Sequence, residues 1–247
     1  MKVLAHRGIH YNTLENSLQS FKAVQEVPVK GVELDIRLSK DRKVVVFHDE
    51  DLKRLFEKEV KIADLTLAQI NEITTQRAVI IPSLDEIFDI LLEKFIINVE
   101  IKEPEVVFPL IAMIKEKNYP LGNLIFSSFI HHTLPPIRDD LTGAKIGLLI
   151  GSDAENVANP MDYIQSSMLK YEPYSLHLPI QAFQKLDQRL LVDALTAMKE
   201  KTQVQYAWWT VNTTSELTPL IQNPKITDFI ITDNPELINK HIKLEDK

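Results

Sequence analysis

Four short segments of the chain end an apolar run in residues able to do chemistry. They are Val3-Leu4-Ala5 into His6-Arg7-Gly8, Val32-Glu33-Leu34-Asp35-Ile36, Val44-Val45-Val46-Phe47 into His48-Asp49, and Ile97-Asn98-Val99-Glu100-Ile101-Lys102. In a β-strand, residues two apart share a face. Glu33 and Asp35 therefore point one way while Leu34 and Ile36 point the other, and Glu100 and Lys102 repeat the arrangement opposite Val99 and Ile101. Laid side by side, such strands bring together three carboxylates, two imidazoles and two cations. That set suits metal-assisted chemistry on a phosphate.

Glu33, Asp35 and Glu100 are hard oxygen ligands of the kind Mg²⁺ or Ca²⁺ prefers. The alternative is a solvated strand face or a structural ion pair. Against it, the flanking Val32, Leu34, Ile36, Val99 and Ile101 read as buried, and a buried charge is costly unless paired or metal-bound. His6 and His48 each close an apolar run. Together they could take a proton from a nucleophile and give one to a leaving oxygen, work that suits a side chain whose pKa lies near the working pH. Asp49 either orients His48 or caps a turn. Arg7 would grip a phosphate as a fork and Lys102 as a point charge; an ion pair with the same carboxylates is the compatible alternative. Trp208 and Trp209 lie on opposite faces of one strand, so at most one of them faces the site. His10, His131, His132 and His177 read as surface, capping or structural residues.

The elements that must position these groups alternate from end to end. Strands are predicted at 3–6, 31–38, 44–47, 95–101, 123–128, 144–150, 174–178, 203–211 and 228–231. Helical spacing falls between them at 14–24, 84–93, 106–117, 132–140, 156–168, 187–201, 215–222 and 235–240. Residues 51–81 form an irregular, charged excursion with a short capped helix near 63–70. Alternation of this kind implies parallel strands joined by crossover helices. About eight such units in 247 residues, with chemistry at the ends of several different strands, predict a single (β/α)₈ barrel over 1–247 with a small insertion after the second strand. A doubly wound sheet would gather its ligand at one switch point, and no glycine-rich phosphate loop supports one.

A net charge of −7 speaks against nucleic-acid or anionic-membrane partners. With no cysteine, any metal site must use oxygen or imidazole. No stretch nears the ~18 apolar residues of a membrane span, so no stable membrane insertion is expected, and the N-terminal residues lack the pattern of a secretory leader. The expected setting is soluble and cytoplasmic.

These segments resemble the glycerophosphodiester phosphodiesterase family over nearly the whole chain and in the family's motif order. His6-Arg7-Gly8 with Glu15-Asn16-Ser17 resembles its opening signature, Glu33-Leu34-Asp35 its metal motif, His48-Asp49 its second histidine motif and Glu100-Ile101-Lys102 its E-[IL]-K. Ser128-Phe129, Trp209-Thr210-Val211-Asn212 and Thr232-Asp233-Asn234-Pro235 resemble the later motifs. The resemblance implies a barrel and divalent-metal hydrolysis of glycerophosphodiesters to glycerol 3-phosphate and an alcohol. It makes His6 and His48 the acid–base pair, Glu33, Asp35 and Glu100 the metal ligands, Arg7 and Lys102 phosphate contacts, and Trp209 a wall for the glycerol. Leu14 and Phe229 depart from residues usual in the family, and Arg54-Leu55-Phe56 stands where Arg-Thr-Thr is usual. A phospholipase-like enzyme acting on lipid or lysolipid would carry an apolar rim, for which Phe56 is the one candidate. A non-catalytic phosphodiester-binding barrel is opposed by the intact histidines and carboxylates.

Overall fold

The computed structural model describes residues 1–151, 157 and 159–245. Eight parallel strands close into a barrel: β1 (Lys2–His6), β2 (Gly31–Leu38), β6 (Ile96–Ile101), β7 (Leu124–Ser128), β8 (Lys145–Leu149), β9 (Ser175–Pro179), β10 (Gln205–Trp209) and β11 (Phe229–Thr232). Closure comes from β1, which pairs with β11 on one side and β2 on the other. A short strand, β3 (Val44–Val46), pairs antiparallel with the far end of β2.

Residue alternation sorts the two layers. Val32, Leu34, Ile36, Val99 and Ile101 face outward and join the large core beneath the helices. Leu4, Ile125, Ala207, Phe229 and Ile231 fill the barrel interior. Polar residues at the C-terminal ends of β1, β2 and β6 then have only one place to go, which is the mouth where barrel enzymes carry their sites.

The expected insertion is a hairpin of β4 (Asp51–Leu52) and β5 (Lys58–Lys61) followed by a helix at Leu67–Thr74. Thr66 caps that helix through a reciprocal bond with Gln69. The segment has its own core, in which Phe47, Leu52, Phe56, Ile62, Ile70, Val79 and Ile81 are buried. Phe56, the candidate for a lipid-facing rim, is thereby corrected: it stacks on Phe47 at 6.4 Å inside the insertion.

Several boundaries differ from expectation. The helix predicted from Leu14 starts at Leu18, capped by Ser17. The preceding Asn16 adopts φ +54° so that its amide donates to Asp35 at 2.7 Å, and local periodicity yields to that contact. Phe47, expected to end a strand, already belongs to the loop that presents His48. The helix predicted at 156–168 is observed at Pro160–Tyr171, and its expected first residue lies outside the described residues. Among the described residues no helix is long and apolar enough to cross a membrane.

Candidate active site

His6 is the register partner of Glu33, and Asp35 that of Glu100. Adjacent strands and a shared face therefore bring the acids together, and one carboxylate oxygen from each of Glu33, Asp35 and Glu100 lies within 4.8 Å of the other two. All three are buried. Burial, then repulsion from Asp35 and Glu100, pushes Glu33 well above the ordinary carboxylate range. Burial and Asp35 raise Glu100 to about 7. At Asp35 burial acts in the same upward direction but is outweighed by Lys102, Arg7 and the two histidines, which bring the carboxyl down to about 2. Asp35 Oδ1 is fully buried and makes no hydrogen bond. Three converging oxygen donors, two of them carboxylates poorly suited to ionise there unaided, fit a hard divalent cation.

Lys102 Nζ lies 3.2 Å from Asp35 Oδ1 and 2.5 Å from Glu100 Oε1. Arg7 Nε lies 3.1 Å from Asp35 Oδ2, while its Nη1 donates to Glu15 at 2.7 Å. Arg7 sits at φ +55° and Gly8 at φ +83°. That turn aims the guanidinium inward, and it needs glycine: a Cβ on Gly8 would fall 2.9 Å from the Ser20 backbone carbon.

Each expected catalytic histidine has a carboxylate on its Nδ1. His6 Nδ1 is 2.7 Å from Asp233 Oδ1, and its Nε2 is 3.7 Å from Glu33. His48 Nδ1 is 2.6 Å from Asp49. The pairing fixes the ring and leaves Nε2 as the nitrogen able to exchange a proton. Asp49 is thus an orienting residue. Burial, together with the positive Lys102 and Arg7, lowers the His48 pKa despite the opposing field of Asp35.

Further residues brace these groups. Asp233 also accepts from Asn212 at 2.6 Å and lies 3.2 Å from His10 Nε2. Arg54 of the insertion donates to both Asp49 and Glu15 at 2.6 Å, tying the mount of His48 to that of Arg7. Arg37 holds the His48 carbonyl at 2.9 Å and Glu103 at 2.7 Å. Sequence reasoning assigned no roles to Asn16, Arg54, Asn212 and Asp233. The only available signal is their place in or beside motif blocks, because Asn16, Asn212 and Asp233 act from loops and Arg54 from a four-residue helix, whose directions no periodicity encodes. His10, not counted among the catalytic residues, lies against Asp233 in a supporting place. His177 is buried against the Ser175 hydroxyl at 2.9 Å, and burial brings its pKa down to about 3. His131 bonds the Leu149 carbonyl, and His132 is exposed.

The groups surround a cavity of about 140 Å³. His6, Arg7, Glu33, His48, Glu100 and Lys102 form its polar side, and Phe129, Leu149, Trp209 and Ile231 the apolar side. Trp209 meets Phe129 edge-on at 5.6 Å, whereas Trp208 packs on Phe183 outside the barrel, as the alternation requires. A larger groove of about 680 Å³ beside Phe108 and Met113 contains none of this machinery.

The model of the glycerophosphoryl diester phosphodiesterase family matches residues 6–237. The chain belongs to that family. It is 34% identical to a glycerophosphodiester phosphodiesterase of Caldanaerobacter subterraneus subsp. tengcongensis over 254 aligned positions, covering 96% of each chain. The crystal structure of a glycerophosphodiester phosphodiesterase from Thermotoga maritima is 38% identical, covers 98% of both chains and superposes with a TM-score of 0.82. An Oleispira antarctica phosphodiesterase in complex with the product sn-glycerol-3-phosphate shares the fold, with 24% identity, a TM-score of 0.79 and coverage of 98% and 97%. The barrel of this family member matches the expected fold in strand order, closure and position of the insertion.

If the carboxylate on Nδ1 orients His6 for work, Asp233→Asn should lower kcat by about tenfold or more, a part of the usual worth of a positioned acid–base group, with little change in melting temperature. A kcat equal to wild type across the pH range would show that Asp233 only closes the loop.

Proposed function

We propose that this family member hydrolyses glycerophosphodiesters to sn-glycerol 3-phosphate and an alcohol, using Mg²⁺ or Ca²⁺ held by Glu33, Asp35 and Glu100 and proton transfer by His6 and His48. The observation that carries this reading is that two members of the acid trio, Glu33 and Glu100, line one small cavity with two carboxylate-oriented imidazoles, while Asp35 lies buried within reach of both acids. A divalent cation bound there supplies positive charge to a phosphate oxygen. Arg7 and Lys102 add charge to the same phosphoryl group from the flanking strands. His48, kept neutral by burial and by the neighbouring cations, takes the proton of the attacking oxygen. His6, set between Asp233 and Glu33, gives a proton to the departing alcohol oxygen. Trp209 and Phe129 offer the glycerol carbons an apolar wall. A cavity of about 140 Å³ and the burial of Phe56 favour a small water-soluble diester over a lysolipid.

The test is incubation of the purified chain with glycerophosphocholine, glycerophosphoethanolamine and glycerophosphoglycerol, with and without EDTA. Glycerol 3-phosphate should form from at least one diester, stop on chelation and resume when Mg²⁺ or Ca²⁺ is restored. Turnover indifferent to EDTA would remove the metal from the reading. Metal affinity should also depend on pH, because binding must expel the proton that Glu100 carries below about 7. The sign follows. A carboxyl raised from its ordinary 4.5 to about 7 stabilises the metal-free fold fully below 4.5, and that contribution is lost as pH rises through about 7. Affinity for the cation moves the other way, rising as pH passes through about 7, and the raised Glu33 acts in the same direction. Titration calorimetry on either side of that value reads the difference, and a flat profile would contradict it.

A further inference from the structure

Asn98 lies on β6 two residues before Glu100, and its register partner on β2 is Glu33. Its side chain therefore enters the barrel beside two of the three acids, and it lines the same cavity as both. Asn98 is 1% exposed, and its Oδ1 has no hydrogen-bond partner. On β7 the register partner of Glu100 is Ser127, fully buried, and its hydroxyl is also without a partner.

A buried polar group left unbonded costs about 1–3 kcal/mol, and native interiors hold few of them. Packing alone would be served better by an aliphatic residue at either position. Both orphans flank Glu100 and border the acid trio, where a cation still needs oxygen. Ca²⁺ takes about 6–8 oxygen ligands, side-chain carbonyls among them, and Mg²⁺ about six. A neutral oxygen adds coordination without adding a further negative charge to carboxylates that already repel one another.

We propose that Asn98 is a further metal-centre residue, its side-chain oxygen ligating the cation from the barrel side, with the Ser127 hydroxyl completing a neutral floor beneath it. The proposal rests on the reading of Glu33, Asp35 and Glu100 as metal ligands. A role of this kind predicts a dissociation between stability and metal affinity that a packing role does not.

The full chain and its Asn98→Leu, Asn98→Asp and Ser127→Ala variants are compared by calorimetric titration with Mg²⁺ and Ca²⁺ and by melting without metal. Asn98→Leu should weaken binding by roughly 10–100-fold, the range seen when groups supporting a metal site are removed. Its metal-free melting temperature should hold or rise, because the unbonded polar group is gone. Asn98→Asp should keep affinity near that of wild type, and Ser127→Ala should lose less than Asn98→Leu. Equal affinity in wild type and Asn98→Leu overturns the proposal and leaves the acid trio intact. A wild-type chain that binds neither ion overturns both. If Asn98→Leu does not fold, Asn98→Ala is read by the same criterion, and a lower metal-free melting temperature with unchanged affinity makes Asn98 structural.

Discussion

His6→Ala and His48→Ala are each expected to lower kcat by about 10²-fold or more, the usual worth of a positioned proton-transfer group. The two losses should differ in kind. His6 faces the cavity between Asp233 and Glu33 and is read as the acid, so a nitrophenyl ester, whose leaving group needs no proton, should rescue His6→Ala and leave His48→Ala impaired. His48 is read as the base, because burial and the adjacent Lys102 and Arg7 depress its pKa. The double variant should lose much less than the product of the single losses, since the groups act as a unit. Rescue of His48→Ala instead would exchange the roles, and rescue of neither would remove leaving-group protonation from both.

The ease with which these histidines are found in the sequence reflects where they stand. A strand repeats every two residues, so an apolar run that ends in His6, or alternates with Glu33, Asp35 and Glu100, announces both the strand and the face its charges occupy. The barrel is legible for the same reason, as strand and helix periods alternate along the chain without a break. The loops follow another logic. Asn16 takes a left-handed backbone to reach Asp35, and Asp233 crosses from the last strand to the first to hold His6. Their partners are 19 and 227 residues away, beyond any local pattern. Arg54 is a similar case, since a charged residue in an insertion reads as solvated until the fold sets it between Asp49 and Glu15. Asn98 shows the converse limit. Its face was legible from its spacing to Glu100, but that its oxygen lacks a partner is a fact of packing.

Lys102→Met is expected to lower kcat/KM by about 10²-fold, the scale of losing one donor aimed at developing charge, and to separate two roles the side chain holds together. Its ammonium lies between Asp35 and Glu100, and removing it leaves Asp35 with Arg7 and the Asn16 amide and takes from Glu100 its ion-pair partner. Breaking such a buried pair costs about 3 kcal/mol or more, roughly 6–12 °C in melting temperature for a chain of this size. A divalent cation neutralises the same oxygens, so saturating Mg²⁺ or Ca²⁺ should return most of the lost stability. It should not return the activity, because the phosphate still lacks the charge of Lys102, the residue that follows β6. Melting curves and kinetics taken with and without metal therefore divide the outcomes. Stability recovered by metal with turnover still low assigns Lys102 to the phosphate. A low melting temperature that metal does not correct, with near-normal turnover in the folded fraction, assigns it to the acids alone.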